Sequence, residues 1–156
     1  MLLAYRLVRL IEAHSEQLAG NLLDTVKSSE KTRAYVTQVP EQELRSRVSE
    51  VYHNLGEWLL GKTEADVGRR YEEIGARRAA QGVPLTELIS ALVFTKDNLW
   101  EFLLKEAGVE RPVEVFGELE LLQLLDQFFD RAIYYSAIGY ERASVSPAVG
   151  AGHGAA

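Results

Sequence analysis

The chain has 156 residues, no cysteine, four prolines, 47% hydrophobic and 26% charged residues, and a formal net charge of −6. That length fits one domain with its own core, and the composition is globular, not disordered. The missing thiols exclude a disulfide framework, thiolate chemistry and sulfur-ligated zinc, and a pI near 5.1 argues against a protein that grips nucleic acid.

The chain opens on an apolar run, Met1 to Ile11, that Arg6 and Arg9 interrupt and no small-residue cleavage site follows. It is not a signal peptide by that pattern, and no stretch approaches the roughly 20 apolar residues of a spanning helix. The expectation is a soluble, cytoplasmic protein with no membrane partner. A first helix is predicted from about Leu3 to Val26, with Leu3, Leu7, Leu10, Ile11, Leu18 and Leu22 on one face. Ser28 to Gln38 reads as a polar connection. Pro40 starts a second helix, where its missing N–H does no harm, and Gly61 ends it; Leu44, Val48, Val51, Tyr52, Leu55 and Leu59 form its stripe.

Thr63 reads as the N-cap of a third helix, with Glu64 and Asp66 at the positive end of its dipole. Val67, Tyr71 and Ile74 mark its inner face, and Gly82 stops it. Pro84 opens a fourth helix, with Leu85, Leu88, Ile89, Leu92, Val93, Leu99, Trp100 and Leu103 on one side, closed by Gly108. Pro112 starts a fifth, running to about Ala143, and residues 144–156 read as a flexible Ala/Gly-rich tail. No segment alternates as a half-buried strand would. The fold class expected is all-α: a single bundle of about five helices over residues 1–143, with a long C-terminal helix.

The fifth helix carries an apolar arc of about 220°, where an ordinary surface helix needs little over 100°. Either it lies at the centre of the bundle or a second subunit covers it. The helix length favours a homodimer, with Leu121, Leu124, Leu125, Phe128, Phe129 and Ala132 at the interface.

Three polar residues fall on apolar faces: Arg78 on the third helix, Lys96 on the fourth and His14 on the first. A buried arginine keeps its charge and needs a partner. Asp126, near the edge of the last helix's apolar arc, is the most economical ion-pair partner. In the plain reading these are structural groups, with Arg78 or Lys96 paired to Asp126 and His14 bonded to a carbonyl. In the sharper reading Arg78, Lys96 and His14 line a cavity that holds a small anion, such as a carboxylate metabolite.

Catalytic, metal and cofactor patterns are absent. No two of His14, His53 and His153 have helical metal-site spacing, no Glu-x-x-His repeat occurs, and there is no nucleophile elbow, phosphate loop or dinucleotide fingerprint. The chain is expected not to be an enzyme and to need no cofactor.

The stretch Gly75-Ala-Arg-Arg78-Ala-Ala-Gln81-Gly82-Val83-Pro84-Leu85, followed by Leu88-Ile89 and by Lys96 through Leu99-Trp100-Glu101-Phe102-Leu103, resembles a known junction. It is similar to the N-terminal domain of the RsbRD-type co-antagonist proteins of bacterial stressosomes, a domain that also precedes the helix-turn-helix of PucR- and CdaR-like regulators. The resemblance covers about Thr63 to Gly108; the flanking helices agree in length and apolar pattern. It implies a helical sensory module that dimerises and passes a signal to an output domain, and a globin-like fold without haem as in related stressosome proteins. It also implies structural roles for Gly75, Arg78, Gly82, Pro84 and Trp100. No STAS or DNA-binding region follows Ala143, so the expectation is a stand-alone sensor or adaptor, or a piece of a longer protein. Two functions remain open: a regulatory sensor of stress signalling that binds a small ligand or another signalling protein as a dimer, and a structural adaptor with a dry core.

Overall fold

The computed structural model describes the backbone of residues 2–106 and 112–155, and within it the side chains of residues 5–105 and 119–145. Seven α-helices occupy the described residues: α1 (Leu2–Ala13), α2 (Ser15–Ser28), α3 (Arg33–Gln38), α4 (Glu41–His53), α5 (Glu64–Ala80), α6 (Leu85–Glu106) and α7 (Pro112–Ala155). A 3₁₀ turn at Glu30–Thr32 leads into α3, and a π-helical turn at Glu57–Gly61 follows α4. No strand occurs among the described residues, so the all-α bundle with a long last helix is what the chain forms.

Three boundaries differ from the sequence pattern. The predicted first helix breaks at His14, whose φ of −107° and ψ of 19° leave the helical region. The polar connection after Ser28 is itself structured: Thr32 is fully buried and its hydroxyl donates to Val26 O at 2.6 Å, which turns the chain into α3. The last helix continues past Ala143 to Ala155. The predicted stop at Gly108 lies outside the described residues.

The α5 boundaries follow the sequence closely. Thr63 Oγ1 accepts the Asp66 N–H and Asp66 Oδ2 accepts the Thr63 N–H, a reciprocal capping box. At the other end Gly82 has φ +79°, its N–H donates to Ala79 O, and the Val83 N–H donates to Arg78 O at 3.0 Å. That pair of bonds is the Schellman stop, and it needs glycine because other residues are strained at positive φ. Buried Val83 supplies the apolar contact past the stop.

The core runs along α7, which is covered by α1, α5, α6 and the π turn. Leu121, Leu125, Phe128, Phe129 and Ala132 are each at most 3% exposed. Their wide arc is sheathed by the chain's own helices, so five of the six residues expected at a dimer interface are core residues; Leu124 alone is half-buried. Each such side chain contributes roughly 1.5–3 kcal/mol of burial. An aromatic cluster fills one end, with Tyr71 and Phe128 edge-on at 5.7 Å and Trp58 at 5.9 Å from Phe128.

α5 and α7 meet backbone to backbone. A Cβ on Gly75 would lie 2.0 Å from Ser136 O, and one on Gly139 would lie 2.1 Å from Glu72 O. Gly68 has the Tyr135 ring 3.1 Å from where its Cβ would be. Polar pairs bracket this seam: the Tyr135 hydroxyl donates to Glu64 Oε2 at 2.8 Å, Arg142 pairs with Glu72 at 3.1 Å, and the Tyr140 hydroxyl donates to Val83 O at 2.7 Å. Gly75 therefore has the structural role that the resemblance implies for it.

Candidate functional site

Arg78 is the most unusual residue of the core. It sits in the last turn of α5, on the same face as Tyr71 and Ile74, and is 0% exposed. Its position is held from both directions, because its own carbonyl accepts the Schellman bond from Val83. The guanidinium is met by three elements. Nε donates to the Tyr35 hydroxyl at 2.9 Å, and the group lies over the Tyr35 ring at 5.3 Å. Nη1 donates to Glu43 Oε2 at 3.1 Å and to Gln81 Oε1 at 2.8 Å. Gln81 in turn donates to Glu43 Oε2 at 2.7 Å, and Arg77 also binds the Glu43 carboxylate. Nη2 is buried with no hydrogen-bond partner among the described residues.

The electrostatics follow from this arrangement. Partial burial pushes the Glu43 carboxyl up, but the bonds from Gln81 and Arg77 and the Arg78 charge outweigh it and hold the group below the usual carboxylate range. Burial pushes the Tyr35 hydroxyl up despite Arg78, so it stays protonated. Tyr35 is also fixed at its backbone, whose N–H donates to Glu87 Oε1 on α6 at 3.0 Å.

Beside Arg78 lies a cavity of about 60 Å³ between α2, α3, α4, α5, α6 and α7. Its wall is mostly aliphatic and aromatic, with Arg78, Tyr35, Tyr71, Thr95 and the Arg47–Glu50 pair as its polar members. Thr95 is internally satisfied, its hydroxyl donating to Ala91 O at 2.7 Å. Burial and the nearby Glu50 charge push the Tyr71 hydroxyl well above its usual range, which keeps it a donor.

The structure brings one of the three sequence-predicted residues to this cavity. Arg78 lines it; Lys96 and His14 do not. Lys96 is half-buried on α6, and no ion pair engages it among the described residues. His14 serves the α1–α2 break: its Nδ1 donates to Leu10 O at 2.9 Å and its ring packs on Phe102 at 5.3 Å. Because a carbonyl only accepts, Nδ1 carries the proton there. Asp126 is exposed, and the carboxylate that pairs with Arg78 belongs to Glu43. The correction has a simple cause, since α7 turns Asp126 outward while the first turn of α4 brings Glu43 to the end of α5.

Two functional residues were missed by the sequence reading. Tyr35 was hidden in a stretch read as a connection, although the Tyr35–Val39 spacing of four is a helical apolar pair, and both are buried. Glu43 looked like one more acid in a helix first turn. Of the remaining residues that the resemblance singles out, Trp100 keeps a buried indole N–H without a partner among the described residues, and nothing in the structure explains it.

A helical bundle with a buried arginine network at the end of one helix defines an all-α domain. Residues 6–148 match the family model of the RsbT co-antagonist protein rsbRD N-terminal domain, and the chain belongs to that family. No curated protein and no solved structure matches it. The family comprises stressosome-related regulatory domains of bacterial signalling and is not a known enzyme family. Among the described residues no helix is long and apolar enough to cross a membrane.

Proposed function

We propose that this chain is a cytoplasmic, non-catalytic signal-input domain that acts as a homodimer and answers a small ligand or a partner signalling protein. The family match over residues 6–148 carries this reading. The fold supports it in two ways. The glycine seam couples α5, which carries Arg78, to α7 with no side chain between the two backbones, so a change at Arg78 reaches α7 directly. Large apolar side chains also remain outside the core: Leu104 is 81% exposed, Tyr134 61% and Leu119 56%. These are among the apolar side chains free to meet a second copy, and the buried row from Leu121 to Ala132 is not.

Native mass spectrometry of the purified chain tests the reading. The expected result is a dimer at micromolar concentration that Leu119→Glu with Tyr134→Glu converts to a monomer. A wild-type monomer at that concentration overturns the dimer. The adaptor reading, with a dry core and no ligand, is favoured by the bonds that already engage Nε and Nη1 of Arg78. The family match speaks for the sensor.

A further inference from the structure

α6 and α7 together present a second apolar surface, outside the core. Leu88, Ala91, Thr95, Leu99 and Phe102 form the buried face of α6. Next to it round the helix come Ile89, Val93, Lys96, Trp100 and Leu104, which are half-buried or exposed. The other flank of α6 is occupied, because Glu87 accepts from α3 and Asn98 donates to Leu18 O on α2. The free stripe therefore lies on the α7 side. On α7, Leu119, Asp130, Ile133 and Ala137 share an arc of about 60° and are likewise half-buried or exposed. α5 takes the far side of α7 through Tyr135 and Gly139. Tyr140, which bonds Val83 O just before α6 begins, is the next residue round from this arc, so the two stripes adjoin.

That bond also makes the packed pair antiparallel and sets what is level with what. Thirteen residues on from Val83 is Lys96, and thirteen back from Tyr140 is Gln127, less than a turn from Asp130. Twenty-one residues each way brings Leu104 about level with Leu119. Side chains lean towards the N-terminus of their own helix, so Lys96 and Asp130 lean towards the same level. Neither has an ion pair among the described residues. The face thus carries a cation on one helix and a carboxylate at matching height on the other, each without a partner of its own chain.

A second copy can meet this face with two-fold symmetry in two ways. An axis along the helices lays α6 on the partner's α7. Lys96 then meets the partner's Asp130, twice, and Leu104 meets the partner's Leu119. An axis across the helices sets each stripe against itself, Lys96 towards Lys96 and Asp130 towards Asp130. Like charges oppose the second arrangement and favour the first. We infer that the α6–α7 face is the interface of a parallel homodimer, a four-helix bundle closed by two reciprocal Lys96–Asp130 pairs. This rests on the homodimer reading above and gives it a surface and an orientation: both α7 helices leave the dimer at the same end.

Charge reversal tests it by native mass spectrometry. Lys96→Glu and Asp130→Lys, made separately, each oppose like charges twice and are expected to weaken dimerisation about 100-fold. Their monomers should keep the wild-type urea midpoint, because neither change breaks an ion pair within the chain. Mixed one to one, the two variants are expected to form a heterodimer within about 10-fold of the wild-type Kd, since both cross-pairs are then opposite in sign. A pair inside one chain would be broken in each variant and not mended by mixing. The chain has no cysteine, so Leu104→Cys mixed with Leu119→Cys reads the orientation. Mild oxidation is expected to give the mixed disulfide dimer well ahead of either variant alone. Single charge variants that dimerise like wild type overturn the interface. So does a mixture that stays monomeric, or Leu104→Cys that cross-links to itself as readily as to Leu119→Cys. A wild-type monomer sinks the homodimer reading as well, whereas a wild-type dimer whose reversed charges are not rescued by mixing sinks this face alone.

Discussion

On one face of α5, Gly75 lies so close to Ser136 O of α7 that a methyl group would come within 2.0 Å of it. On another face, Tyr71, Ile74 and Arg78 look onto a cavity shared with α2, α4 and α6. The same helix is therefore gripped without clearance on one side and loosely packed on the other. A seam made of backbone cannot repack, because there are no rotamers to change; a wall made of long side chains can. The difference teaches where this molecule has room to respond. The room lies around Arg78 and Tyr35, and the glycine seam offers none between α5 and α7.

The largest expected effect tests the seam. Alanine is the better helix former by about 1 kcal/mol, so any loss of stability in Gly75→Ala is the clash less that gain. The expected loss is about 4 kcal/mol by urea denaturation, since Ser136 O cannot move aside without moving α7. A variant within 1 kcal/mol of wild type breaks the comparison at its firmer end.

The next tests concern the looser side. Glu43→Ala strands the Arg78 charge and is expected to cost about 3 kcal/mol. Adding Arg78→Met removes the stranded charge and recovers part of that loss, which a double-mutant cycle reads directly. The pH dependence should single out the same carboxylate. Glu43 is held below its ordinary value in the folded chain, so its stabilisation is complete above the unfolded value of about 4.3. It is lost as pH falls through the lower folded value. Urea midpoints from pH 7 down to pH 3 should therefore fall less steeply in Glu43→Gln than in wild type. The smallest effect is reserved for Asp126→Ala, which is expected to change stability by no more than about 0.5 kcal/mol, as for any exposed residue without a special role.

That last variant marks how far the sequence could be read. The inward direction of Arg78, the Thr63 cap and the Gly82 stop were all legible, because each depends on positions within one helix. The partner of Arg78 was not. A helical wheel gives a direction but not the neighbour that lies in that direction, so Asp126 and Glu43 were equivalent until α4 and α7 were placed. The apolar arc of α7 was legible as excess, but an arc covered by three sister helices and an arc covered by a second subunit have the same pattern. Tyr35 was lost because α3, Arg33–Gln38, is too short and too polar to announce itself. Its stability comes from Glu87 and Arg78, which are distant in sequence.

The caps of α5 fix its length at both ends. The Thr63–Asp66 box sets where the helix begins, and the Arg78–Val83 bond sets where it stops. Between them Gly68 and Gly75 must face α7 while Arg78 faces the α3 and α4 side. One residue inserted or deleted in this span turns everything beyond it by about 100°. That single step swings Arg78 off the cavity and puts a side chain where α7 tolerates none. Among relatives of this domain, length changes should therefore collect in the connections before Thr63 and after Glu106. The span from Thr63 to Val83 should behave as a ruler that drift can recolour but not stretch.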